Sequence, residues 1–358
     1  MNENIYHFFM SAYTPNGFAS HFNELVDPQR YKKAYLIKGS SGSGKSTIIK
    51  KVAGYIKNSA EHIELIHCSL DTSSLDGAIF DEKISIFDAT PPHNLEPKLP
   101  GAYEQIISLY DCFDNESLAS MEREISKIKA AEEIHKSRAQ SFIRAAGLLI
   151  SSNESIAARC INTEKLANFI TRLCLRELKE PKTYRGEVRK RFLSTISEDG
   201  VFMFTDTAKK LCDRLFVIDD PNGAVSGIIL GGILSAAQDM GHTVYACACP
   251  MSKSGRIEHL FIPELSLGFM TSNKFHPIDI EHYKTIHTAR FMDREAMGKY
   301  SARASFQRKA ARELLKEAAT FIKMQREAHS AIEEYYKSAC DVEKRENLTC
   351  EVLNKFKF

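Results

Sequence analysis

The stretch Gly39-Ser40-Ser41-Gly42-Ser43-Gly44-Lys45-Ser46-Thr47 constrains this chain more than any other. It fits the pattern G-x-x-x-x-G-K-[ST] without a mismatch. Just before it, Ala34 to Ile37 reads as a short buried strand. Just after it, Ile48, Ile49, Val52, Ala53 and Ile56 are apolar at helical spacing. Strand, glycine loop and helix in that order predict an α/β fold in which a phosphate-binding loop joins a parallel-sheet strand to its helix.

The residue types follow from the chemistry. Glycines let backbone N–H groups turn inward with no Cβ in the way, forming an anion-binding nest at a helix N-terminus. All nine residues from Gly39 to Thr47 are therefore expected nucleotide contacts. Lys45 would reach the β- and γ-phosphates, and the Ser46 hydroxyl would ligate Mg²⁺. Downstream, Lys83-Ile84-Ser85-Ile86-Phe87-Asp88 reads as an apolar strand ending in an acid. Asp88 is expected at the same sheet edge as the loop, as the second Mg²⁺-holding residue. Residue 89 is alanine, so the adjacent glutamate of many fast ATPases is missing.

His93, in Ala89-Thr90-Pro91-Pro92-His93, is placed to orient water, sense the γ-phosphate or contact an acceptor, or merely to fix its loop. Asp71 and Asp76 follow a second strand, His62 to Cys68. Either acid suits a base or an acceptor contact, and either suits a solvated loop. Lys45, Asp88, His93 and Asp71 make up the expected catalytic set. No N/T-K-x-D guanine-reading motif occurs, which favours ATP as the nucleotide.

Composition narrows the partners. With 358 residues the chain has room for two or three domains. Its net charge of +2 carries no nucleic-acid signal. The segment Met1-Asn2-Glu3-Asn4-Ile5-Tyr6 lacks the basic start and apolar core of a signal peptide. The apolar run Gly223 to Ala237 is short for a membrane span. A cytoplasmic protein without a membrane partner is expected. The nine cysteines form no CxxC pair. Cys247-Ala248-Cys249 lies in a strand-like run with no further zinc ligands apparent nearby, and reads as buried reduced thiols.

From Asn115 to about Glu180 the pattern turns helical. Ser117–Ser137, Arg138–Ser151 and Glu164–Leu178 are the expected helices. Arg123, Arg138, Arg144, Arg159, Arg172 and Arg176 are candidates for an arginine finger or solvated helix faces. A probe for internal repeats then shows that the second half repeats the first. Phe9-Met10-Ser11 and Gly17 recur 183 positions later as Phe192-Leu193-Ser194 and Gly200. Cys68 falls opposite Cys249, Glu82 opposite Glu264, and His93 opposite His276. Opposite the glycine loop lies Asp219-Asp220-Pro221-Asn222-Gly223-Ala224-Val225-Ser226-Gly227, with Val225 in place of Lys45 and Asp219 and Ala224 in place of the first and last loop glycines. Asp88 falls opposite Thr271. Two carboxylates with no ammonium would repel a triphosphate, so this half reads as a pseudo-lobe whose helix, Val225 to Ala237, is a buried structural element. The expected division is 1–114 nucleotide lobe, 115–185 helical insert and linker, 186–293 pseudo-lobe, and 294–358 helical tail.

At Phe9 to Gly17, Gly39 to Thr47, His67-Cys68-Ser69, Ser74 to Gly77, Asp88 to His93, Cys249-Pro250, Pro263-Glu264-Leu265 and His276, the chain resembles a family of uncharacterised bacterial tandem P-loop ATPases. That resemblance covers essentially the whole chain and implies two P-loop NTPase-like parallel-sheet lobes and ATPase activity. The family usually keeps an intact loop in both halves, and this sequence does not. An ATP- and Mg²⁺-dependent hydrolase with one working site is the leading expectation. A small-molecule or nucleotide kinase with a helical lid is a second. A nucleotide-gated binding protein acting on a protein or small-molecule partner is a third. An arginine supplied in trans would come from the helical insert, the second lobe or another subunit of a homo-oligomer.

Overall fold

Residues 4–356 are described by a computed structural model; the start of the N-terminal segment considered above, Met1–Glu3, lies outside them. In chain order the first half forms β1 (Ile5–Phe9), the hairpin β2 (Ser11–Thr14) and β3 (Gly17–Ser20), β4 (Lys33–Lys38), α1 (Lys45–Ile56), β5 (Ile63–His67), β6 (Leu75–Phe80), β7 (Ile84–Asp88) and β8 (Glu104–Ser108). Helices α2 (Asn115–Ser120), α3 (Glu122–Ala158) and α4 (Thr163–Glu177) follow. The second half repeats the series as β9 (Val188–Arg191), the hairpin β10 (Ser194–Ser197) and β11 (Gly200–Met203), α5 (Thr205–Leu211), β12 (Arg214–Asp219), α6 (Ala224–Asp239), β13 (Val244–Ala248), β14 (Ile257–Ile262), β15 (Leu267–Ser272) and β16 (Lys284–His287). It closes with α7 (Arg294–Gly298), α8 (Ser301–Ser338) and α9 (Val342–Asn354).

The two six-stranded sheets share one topology: β1-β5-β6-β7-β4-β8 and β9-β13-β14-β15-β12-β16. Both are mixed rather than parallel as expected. β6 runs antiparallel to β5 and β7, and β14 antiparallel to β13 and β15, while the remaining pairings are parallel. The reason is connection length. The polar stretch from Ser69 leads directly into the buried run Leu75–Phe80. So short a link cannot make the crossover of a dozen or more residues that a parallel neighbour requires.

In β4 the four central residues, Ala34 to Ile37, are buried, as suits a strand covered on both faces. Helix α1 lays Ile48, Ile49, Val52, Ala53 and Ile56 on the sheet, where they join Tyr35, Ile37, Ile63, Phe80 and Ile86 in one core. In the second half Val225, Ile229, Leu230 and Ile233 of α6 pack with Phe216, Ile218, Leu260, Ile262 and Phe269. The expected buried helix is therefore present. The expected helix at Phe18–Leu25 is not: Gly17–Ser20 pairs as β3, and a single 3₁₀ turn, Phe22–Val26, follows it. The helices expected at 117–137 and 138–151 are largely one continuous helix, α3.

The chain divides into two compact units, each assembled from separate stretches of the sequence. The first comprises residues 4–11, Ser20–Ala139 and 319–356 of the described chain; the second comprises Ala12–Ala19 and Gln140–Ala318. The terminal helices are exchanged between the copies. The helix that follows the first sheet, α4, packs on α6 of the second, and α9, which follows the second sheet, packs on α1 of the first. Leu166 and Leu173 of α4 belong to the second core, and Val352 and Phe356 to the first. No helix among the described residues is long and apolar enough to cross a membrane.

Candidate functional site

In the first unit the loop after β4 ends on Gly44, which caps α1 in the left-handed region at φ 97°. A side chain would strain there, so the glycine is required by the turn itself. Lys45, the first helical residue, curls back over the loop, and its Nζ donates to the carbonyls of Gly39 at 2.9 Å and Ser40 at 2.8 Å. The same ammonium lies 3.5 Å from Asp88 Oδ2. β4 and β7 are neighbours in register, Ile37 beside Asp88, so the sheet holds this acid at the mouth of the loop. Ser46 Oγ accepts from the N–H of Leu75 at 2.9 Å. The Ser43 hydroxyl is buried without a hydrogen-bond partner, an acceptor-seeking group inside the loop.

Burial raises the Asp88 carboxyl above the ordinary carboxylate range, with Lys45 opposing the shift and Asp76 adding to it. Thr90 donates to Asp88 Oδ1 from both its backbone N–H and its hydroxyl. His93 Nε2 lies 3.3 Å from Asp76 Oδ2. Burial pulls the His93 pKa down, but the hydrogen bond to Asp76 and the charges of Asp76 and Asp88 outweigh it and leave it raised. The structure thus brings Lys45, Ser46, Asp88 and His93 to one sheet edge. The acid beside them is Asp76, 7% exposed, rather than Asp71. Asp71 Oδ1 accepts from the backbone and hydroxyl of Ser73 and so closes the turn after β5. The burial of Leu75–Phe80, hidden behind a polar start, is the signal that would have separated the two acids.

The C-terminal helices cover this loop. A Cβ on Gly42 would stand 2.5 Å from the carbonyl oxygen of Glu333 in α8, so only glycine allows that approach. Arg345 of α9 packs on Gly44, its Cδ 3.2 Å from where a Cβ would be. Lys51 of α1 pairs with Glu346 of α9 at 2.7 Å. Of the insert's arginines, Arg138 lies over the Phe321 ring and Arg176 pairs with Glu177. Sequence reasoning missed Arg345, because the corresponding residue of the other copy is Leu166, a core residue of the second unit.

The corresponding loop of the second unit is filled by its own side chains. Gly223 caps α6 at φ 77°, as Gly44 caps α1. The structural counterpart of Lys45 is therefore Ala224, one residue earlier than the sequence alignment placed it. The final loop glycine is retained, and the loop is shorter, residues 220–222 standing against residues 39–43. Thr271 pairs with Ile218 as Asp88 does with Ile37, which keeps Thr271 at the acid's position. Of the two acids, Asp219 faces outward to His287, 3.1 Å away. Asp220 is buried and accepts from the N–H groups of Asn222 at 3.2 Å and Ser226 at 2.7 Å, so a carboxylate occupies the helix N-terminus where an anion would sit. Arg256 presses against Gly223, whose Cβ would come within 2.0 Å of Nη1. Its guanidinium lies 3.2 Å from Glu154 and 3.5 Å from Glu258.

Comparison of the chain with protein-family descriptions, curated proteins and solved structures returns no match.

Proposed function

We propose that the chain is an ATP-binding, Mg²⁺-dependent nucleoside triphosphatase that works through the Gly39–Thr47 loop alone, in keeping with its resemblance to tandem P-loop ATPases. The observation that carries this reading is the meeting of Lys45 with Asp88 at 3.5 Å across neighbouring strand ends, on a loop capped by a left-handed glycine. A triphosphate would take over the Lys45 ammonium from the carbonyls of Gly39 and Ser40, and the unpartnered Ser43 hydroxyl is available to a phosphate oxygen. Ser46 and Asp88 are the residues that would hold Mg²⁺, which supplies charge neutralisation on the phosphates when bound. His93, whose pKa the hydrogen bond to Asp76 and the charges of Asp76 and Asp88 raise against burial, would when protonated add positive charge on the γ-phosphate side. Turnover without a partner is slow in this reading, because residue 89 is alanine and no second acid follows Asp88.

One observation favours a gated binding role beside hydrolysis. Glu333 and Arg345 lie on the loop that nucleotide would enter, so binding requires α8 and α9 to shift and couples nucleotide to the position of the C-terminal helices. Titration of ATP with Mg²⁺ into wild type and Lys45→Ala tests the central assignment. Saturable binding lost in the variant supports it, and unchanged binding overturns it. Product analysis with a panel of acceptors separates hydrolysis, which yields ADP and free phosphate, from phosphoryl transfer.

A further inference from the structure

We infer that the second unit contains a binding site for one divalent cation of the Zn²⁺ class, formed by Cys249, Glu258 and His276. A sulfur, a carboxylate oxygen and an imidazole nitrogen from these residues lie within 4.8 Å of one another. All three residues are buried, at 2%, 0% and 1% exposure. They are set by three different elements: the end of β13, the second residue of β14 and the loop after β15. The sheet itself therefore fixes their spacing, as a preorganised ligand set requires.

The potential ligand atoms are left over by the rest of the fold. Both ring nitrogens of His276 and Glu258 Oε2 are buried with no hydrogen-bond partner. His276 Nδ1 stands 3.2 Å from Glu258 Oε1, at ion-pair distance. Oε1 is already shared by Asn273 at 3.3 Å and Arg256 at 3.5 Å. Each unsatisfied buried polar group costs about 1–3 kcal/mol, and native interiors leave few of them. Three such atoms converging beside a buried thiol mark a place for an ion. Beside them, a cavity of about 20 Å³ is lined by Cys249, Glu258, Arg256 and Arg308, among others, with His276 outside its lining. That is room for a single water or ion, against the several hundred Å³ of a typical nucleotide pocket.

Charge permits the cation. Three carboxylates, Glu258, Glu154 and Asp220, surround Arg256, and the cavity wall also carries Arg308, which leaves an excess of one negative charge before Cys249 gives up its proton. A divalent ion lowers that excess instead of adding to a positive site. Donor chemistry selects the ion: thiolate with imidazole and carboxylate suits Zn²⁺ and its analogue Co²⁺, whereas Mg²⁺ takes oxygen ligands. Binding forms the metal–sulfur bond and releases the Cys249 thiol proton to solvent. The first unit carries Cys68, Asp76 and His93 at the corresponding positions, but among the described residues only the second-unit set closes to this distance.

The test is titration of the full-length, chelator-treated protein with Co²⁺ and with Zn²⁺. One equivalent of Co²⁺ should bind with a sulfur-to-metal charge-transfer band, and Zn²⁺ should displace it. Cys249→Ser and His276→Ala should lose the band while keeping ATP binding at the first unit, and Cys68→Ser should keep it. If the core variants fail to fold, the wild-type titration decides alone. Absence of a stoichiometric, thiolate-bound equivalent in the wild type overturns the site, as does a band that survives Cys249→Ser or disappears in Cys68→Ser.

Discussion

The two glycine-capped loops of this chain begin their helices alike, on Gly44 and Gly223, yet have opposite contents. The first surrounds a lysine held, among the described residues, by its own loop carbonyls and Asp88. The second holds a buried carboxylate, Asp220, on the helix N-terminus and a buried guanidinium, Arg256, against the capping glycine. The charges that a nucleotide and its lysine would bring are thus supplied internally. The two loops therefore differ by more than a lysine. Stranded buried charge is costly, and in the second loop Arg256 is paired with Glu154 and Glu258, so removing any one partner strands the others.

The largest effect that tests this contrast is on stability. Arg256→Ala leaves Glu154 and Glu258 without their buried partner and should destabilise the second unit by about 3–5 kcal/mol, read from thermal or denaturant unfolding. ATP binding should persist; its loss would mean that the second loop belongs to the nucleotide site. Next comes Lys45→Ala, for which removal of a charged contact to phosphate should weaken ATP binding about 100-fold, or about 2.7 kcal/mol. The reciprocal change, Ala224→Lys, should create no second ATP site, because Asp220 and Arg256 already occupy the loop. Two bound nucleotides in that variant, measured by equilibrium dialysis, would break the contrast.

A smaller effect is expected from Arg345→Ala. If the guanidinium helps stabilise charge on the transferring group, turnover should fall about tenfold, or about 1.4 kcal/mol, with ATP affinity little changed. Unaltered turnover would assign Arg345 to packing on Gly44. The smallest effect is a pH dependence. His93 has a pKa raised by its hydrogen bond to Asp76 and by the charges of Asp76 and Asp88, which together outweigh burial and Lys45. Its contribution to stability is complete below the ordinary histidine range and is lost as pH rises through the raised value. The stability gap between wild type and His93→Gln should therefore be full below about pH 6.5 and shrink as pH rises above it. A constant gap would show that the imidazole acts without its charge.

Much of this was legible in the residues themselves. The loop pattern, the apolar run ending at Asp88 and the repeat from His93 to His276 are local or near-periodic signals, and periodicity survives without knowledge of the fold. The strand containing Asp76 was hidden because its acid and glycine continue the polar stretch from Ser69, while its burial depends on pairing with β5 and β7. Only tertiary structure placed Arg345 on Gly44, since a helix at the far end of the chain packs on the first sheet and its counterpart carries Leu166. The same holds for Cys249, Glu258 and His276, whose spacing along the chain has no motif and whose meeting depends on strand order. Sequence determined which groups each copy kept or lost. Packing decided which of them face one another, because strand pairing and helix exchange act between residues far apart in the chain, where no local pattern can register them.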